Sequence, residues 1–137
     1  MQIYNFIKYL RISLGVIFFW YGVLKFFPAL SPAEQLATDT INILFLGLIP
    51  ASISIKILAL WEVLIGIGFL LGLYTRVVSV LFLVHMFLTF TPLFILSDLC
   101  FTQAPFAFTL VGQYIVKNII FILVGLLIYQ NENERIQ

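Results

Sequence analysis

Charge is what this chain has least of. Asp, Glu, Lys and Arg make up 9% of its 137 residues, against roughly 25% in soluble domains, so a water-soluble fold of this size could not cover its surface. Basic runs are missing too: a net charge of +1 without any cluster of Lys or Arg leaves no footprint for nucleic acid, and no such partner is expected. Cysteine is limited to Cys100, which excludes an internal disulfide and a Cys-x-x-Cys redox pair. Any redox chemistry must therefore come from a bound cofactor or another subunit. Histidine is limited to His85, no set of Cys, His and carboxylates has metal-ligand spacing, and no metal is expected. A glycine-rich phosphate loop, a nucleophile elbow and a haem-attachment motif are equally missing.

Hydrophobic residues fill the space that charge leaves, at 63% of the chain. A helix needs about 20 mostly apolar residues to cross the hydrocarbon core. Four such stretches are legible, at residues 5–27, 52–74, 76–96 and 109–129. The expectation is an all-α integral membrane four-helix bundle, a single transmembrane domain over 1–137, with lipid as its natural partner. Phe27-Pro28 and Ser31-Pro32 end the first span, which is too long for a signal-peptide core and carries Lys25 near its end. The Tyr-Thr-Arg connection at 74–76 forces spans two and three into an antiparallel helix pair. Thr109 reads as the N-cap of span four.

Two connections are longer. Ser31-Pro32-Ala33-Glu34 reads as an N-cap, an N1 proline and an N3 glutamate reaching back, the start of a short helix. Its apolar later half, Ile41 to Ile49, either lies in the interface or dips into the membrane as a re-entrant segment; an ordinary amphipathic surface helix is the competing reading. The stretch 97–108 reads as a loop whose Phe101, Phe106 and Phe108 rest at the headgroup boundary. Both long connections carry acids (Glu34, Asp39, Asp98) and no Lys or Arg, whereas Lys8, Arg11, Arg76 and Arg135 fall at the other ends of the spans. The positive-inside rule then puts both termini in the cytoplasm.

The informative residues are those that lipid rejects. Glu62 lies about ten residues from either end of span two, roughly 15 Å from water, too deep for its short side chain to snorkel. An ionised group there costs about 2.5 to 3.5 kcal/mol, so Glu62 must be protonated, paired with a cation, or lining a wet cavity. Lys25 and Lys117 are the candidate partners, unless both simply snorkel to headgroups. Spacing supports an inward set. Arg11, Gly15, Phe18, Gly22 and Lys25 follow intervals of four, three, four and three along one seam. Ala59, Glu62 and Gly66 share a stripe, His85 and Thr89 lie one turn apart, and Gln113 and Lys117 are flanked by Tyr114 and Asn118 at the same spacing.

If the stripes converge, Lys25, Glu62, His85, Thr89, Gln113, Lys117 and Asn118 enclose an outward-opening polar pocket, with Trp20, Tyr21, Trp61 and Tyr114 available as aromatic lining. The bland alternatives are interhelical hydrogen bonds that fix register, and aromatic residues that merely populate the membrane interface.

The run Gly15-Val-Ile-Phe-Phe-Trp-Tyr-Gly-Val-Leu-Lys25, the Trp61-Glu62 pair and Gly112-Gln-Tyr-Ile-Val-Lys-Asn118 resemble the DoxX family of bacterial four-helix membrane proteins. The resemblance covers nearly the whole chain. It implies a four-span bundle in the bacterial cytoplasmic membrane and a redox connection, because relatives include a subunit of a thiosulfate:quinone oxidoreductase and a component of a membrane oxidoreductase complex.

The leading expectation is thus a membrane subunit of a redox or stress-response system, of the kind found in quinone-linked oxidoreductases. Its pocket would take a small molecule or a quinone headgroup as cofactor, with membrane or periplasmic redox proteins as partners and oligomeric state left open. Two alternatives stand beside it: a small-solute or proton-coupled transporter, which repeated halves or broken helices would favour, and a non-catalytic membrane scaffold whose polar interior is only glue.

Overall fold

The glycine seam of the first span decides how the bundle is assembled. In the computed structural model, which describes residues 2–136 and the side chains of 5–134, that span is helix α1, Gln2–Leu24. It packs antiparallel on α3, Ala51–Leu71, with α2, Glu34–Leu44, lying between them in sequence. A Cβ on Gly15 would come 2.9 Å from the Leu70 nitrogen, one on Gly22 would come 2.8 Å from the Val63 nitrogen, and one on Gly66 would collide with the Phe19 backbone. The two backbones are in near contact because small residues recur every seven positions on both, Gly15 to Gly22 and Ala59 to Gly66. Lipid tails are as apolar as leucine, so such close packing is what draws membrane helices together.

Gly72 closes α3 in the left-handed conformation (φ 70°), and its N–H bonds the Gly68 carbonyl. The chain reverses over 72–74 into α4, Thr75–Leu88, and Tyr74 takes a left-handed φ of 49° without the freedom of glycine. The helix pair expected around Tyr-Thr-Arg is therefore present, with the turn two residues earlier than read.

The third apolar stretch is broken near its far end. Pro92 has no N–H to give the Leu88 carbonyl four residues back. That carbonyl is instead taken by the Thr91 N–H at 3.1 Å and the Thr91 hydroxyl at 2.7 Å, and the chain resumes as α5, Pro92–Ile95. The segment 97–108 holds more structure than the expected loop. A short turn α6, Ser97–Cys100, leads into an antiparallel hairpin of β1, Phe101–Gln103, and β2, Ala107–Phe108. The Phe101 and Phe108 rings pair at 4.8 Å, while Phe106 projects fully into the surroundings. Strands of two and three residues are too short to show alternation in a sequence.

Thr109 caps the last helix as expected. Its hydroxyl oxygen accepts the Gly112 N–H at 3.2 Å and donates to the Leu99 carbonyl at 2.6 Å, fastening α6 to α7, Leu110–Ile136. Helix α7 packs chiefly on α4, and Leu14, Phe18, Ile65, Phe69, Phe82 and Ile128 form the common core.

Helix α2 starts differently from its sequence signature. It begins at Glu34 after an N-cap Ala33 with no side-chain cap, and the Glu34 carboxylate accepts the Ala29 N–H at 2.9 Å rather than that of Ser31. The left-handed turn at Ala29 (φ 63°) folds the preceding loop beneath the helix start and offers that donor first. The apolar stretch from Ile41 does not continue as one helix, since left-handed residues at Leu46 and Gly47 turn it toward Pro50.

Lys8, Arg11 and Arg76 gather at the end of the bundle where α1 begins and α7 ends: Lys8 and Arg11 line a cavity with Asn131 and Glu132, and the Arg76 guanidinium lies 6.0 Å from the Tyr129 ring centre. Glu34, Asp39 and Asp98 belong to the opposite end. The Arg135 side chain lies outside the described residues.

Candidate functional site

Lys25 stands one residue past the end of α1, where its N–H bonds the Gly22 carbonyl. Because Gly22 admits the α3 backbone, Glu62 meets α1 at that level, and the lysine needs only to turn inward. Lys25 Nζ lies 2.6 Å from Glu62 Oε2 and 3.5 Å from the Tyr21 carbonyl. From α4, His85 Nε2 approaches the other carboxylate oxygen, Oε1, at 3.4 Å. All three residues are 7% exposed, so a base at the end of α1, an acid on α3 and an imidazole on α4 share one buried junction. With both oxygens engaged, pairing is the solution the structure adopts for Glu62 among the three that lipid allows.

An aromatic layer closes the junction on the side where α1 begins. His85 rests edge-on against Phe18 (ring centres 5.3 Å apart), Phe18 against Phe82 (4.9 Å), and Phe82 against Phe69 (5.4 Å). Phe18 is the site residue that the spacing analysis placed on the seam without giving it a role; its position seven residues before Lys25 was the available signal.

Thr89 and Asn118 form a second, looser contact one turn beyond His85. Asn118 Nδ2 donates to Thr89 Oγ1 at 3.5 Å, and the threonine hydroxyl donates to the Met86 carbonyl at 2.6 Å. Gln113 and Lys117 do not join. Helix α7 buries Gly112 and Ile115, and residues two positions before or after Ile115 are turned about 200° around the helix, on its opposite side. Both are exposed, and Lys117 Nζ instead sits 5.1 Å from the centre of the Tyr114 ring. Trp20, Tyr21, Trp61 and Tyr114 are also exposed on the bundle surface and do not line the junction. Trp61 is about 100° around α3 from Glu62, which is enough to point it outward.

The expected chamber is correspondingly reduced. A cavity of about 540 Å³ opens at the acidic end between the start of α2 and the start of α3, reaching Ser31, Glu34, Thr38 and Ile55. A second, of about 260 Å³, lies at the end where α1 begins and α7 ends. Neither has Lys25, Glu62 or His85 in its wall. Among the described residues no group of His, Cys, Asp and Glu could hold a metal ion.

Four helical segments long and apolar enough to cross a membrane, at Asn5–Leu24, Ala51–Leu71, Thr75–Ile95 and Leu110–Glu134, with a charged junction inside them, define a multi-pass membrane protein. The family model of DoxX matches residues 6–98, and the chain belongs to that family. The match takes in α1, α3 and α4, and with them Lys25, Glu62, His85 and Thr89; Asn118 lies beyond it. Comparisons with curated proteins and with solved structures return no match.

Proposed function

We propose that this chain is a subunit of a redox or stress-response system in the bacterial cytoplasmic membrane, with both termini in the cytoplasm, and that the Lys25–Glu62–His85 junction handles protons for a small molecule or quinone headgroup. The observation that carries this reading is the convergence of three titratable side chains, each 7% exposed, from the end of α1, from α3 and from α4. Small residues already hold α1 and α3 together, so helix packing does not need a buried acid and base. In the proposed role Lys25 supplies positive charge, Glu62 and His85 exchange protons, and Thr89 with Asn118 orients the ligand by hydrogen bonds. Access is from the acidic end. The larger cavity reaches Ile55, which lies two turns from Glu62 on the same face of α3, roughly 10 Å away by helical rise.

The test is chemical extraction of the detergent-purified protein followed by thermal unfolding across a quinone panel. A retained quinone, or stabilisation that Glu62→Gln abolishes, supports the proposal. Protein that carries no small molecule and responds to none of the panel defeats it.

One observation favours a second reading, a structural clamp: both Glu62 oxygens are approached by side chains of the protein itself, Lys25 and His85, and Gln113 and Lys117 face away. In that case the pair Lys25→Met with Glu62→Gln leaves cellular activity intact.

A further inference from the structure

The smaller cavity sits where all four spanning helices meet, at the end of the bundle where α1 begins and α7 ends, and it has its own chemistry. Its walls include Lys8 and Arg11 from α1, Gly72 just past α3, Thr75 at the start of α4, and Asn131 and Glu132 from α7. Two cations thus face one carboxylate. Arg11 donates to the Phe69 carbonyl, near the C-terminal end of α3, and packs against Gly72, where a Cβ would come 2.6 Å from its guanidinium; the cation is therefore held in place.

Thr75 is the telling residue. It is 6% exposed, and its hydroxyl makes no hydrogen bond among the described residues, yet it belongs to the cavity wall. The side chain is thus held in the protein while its hydroxyl is left open to the cavity, free to bond a ligand there. The same residue opens α4, whose N-cap Tyr74 makes no side-chain cap, so the first N–H groups of a 14-residue helix add positive potential at that spot. The remaining wall is apolar, formed by Ile7, Leu71 and Ile128.

We propose that this cavity binds the phosphate of an anionic phospholipid headgroup. Lys8 and Arg11 supply charge, Thr75 and the start of α4 supply hydrogen bonds, and Ile7, Leu71 and Ile128 receive the glycerol and the first acyl carbons. A basic cavity between spanning helices at the membrane surface is suited to such a headgroup. At about 260 Å³ it has room for a phosphate and part of its ester.

The experiment measures binding of short-chain phosphatidylglycerol to the full-length protein in neutral detergent, by thermal shift and by native mass spectrometry. Phosphatidylcholine and inorganic phosphate serve as comparison ligands. Phosphatidylglycerol raises the unfolding temperature and remains bound, while the other two do neither. Lys8→Gln, an exposed position that leaves the core untouched, weakens binding roughly fivefold. Thr75→Val weakens it further without changing side-chain size. Lys117→Gln, at the opposite end of the bundle, leaves binding unchanged. An equal response to phosphatidylcholine, or phosphatidylglycerol binding that Lys8→Gln and Thr75→Val both leave intact, overturns the proposal. Inorganic phosphate that matches the lipid overturns the lipid assignment. None of these readouts depends on the Lys25–Glu62–His85 junction.

Discussion

Replacing Glu62 by glutamine keeps the side chain's size and removes its charge, which leaves the Lys25 ammonium inside the bundle facing an amide oxygen and the Tyr21 carbonyl. Two magnitudes bracket the outcome. An interhelical hydrogen bond within a membrane averages about 0.6 kcal/mol, whereas stripping one partner from a buried ion pair costs about 3–5 kcal/mol. Lys25 lies just past the end of α1, so its stem can swing toward the interface and shed part of the penalty. The expected loss is therefore at the lower end of that range, about 3 kcal/mol. Adding Lys25→Met to Glu62→Gln removes the stranded charge and should restore most of the loss, a strong positive coupling between the two sites. The assay is reversible unfolding in mixed detergent micelles of the wild type, both single variants and the double variant. A loss below about 1 kcal/mol for Glu62→Gln, together with a double variant no more stable than the single ones, would refute the reasoning.

Gly66→Leu places a side chain where a Cβ already collides with the Phe19 backbone, so α1 and α3 must separate. The expected loss is at least about 1–3 kcal/mol, the usual range for overpacking, in the same unfolding assay. Tyr74→Gly relieves a left-handed backbone at an exposed turn and should stabilise the protein by about 0.5–1 kcal/mol in the same measurement. Cys100 is fully buried, and that burial pushes its thiol pKa above the ordinary value, so the folded protein holds less thiolate at neutral pH than a free cysteine. Maleimide labelling should accordingly be slow at pH 7, accelerate as pH rises past the usual thiol range, and become rapid at pH 7 on unfolding; fast labelling of the folded protein at pH 7 would contradict this.

The four spans were legible because lipid demands long apolar runs and punishes every exception. The same severity made Glu62 conspicuous, and the seven-residue spacing of glycines told which face of α1 would receive it. Span four was harder. Gln113, Lys117 and Asn118 lie within six residues, and polarity alone does not say which of them turns inward. The rotation of α7 is decided by Gly112 against the Cys100 carbonyl and Gly125 against the Phe82 ring, contacts with segments distant in sequence. The unpartnered Thr75 hydroxyl also left no trace in the sequence, because a threonine after a helical turn is ordinary until its neighbours are known. The break before Pro92 was implicit in the proline itself, but its repair through the Thr91 hydroxyl required the geometry.

The edge-to-face rings of Phe18, Phe82 and Phe69 give the polar junction a floor. Any proton coming from the side where α1 begins must first pass this oily layer. On the proposed function the two faces of the membrane are then unequal for the carboxylate, and a membrane-impermeant reagent added to one face of a sealed vesicle should sense the junction differently from the same reagent added to the other.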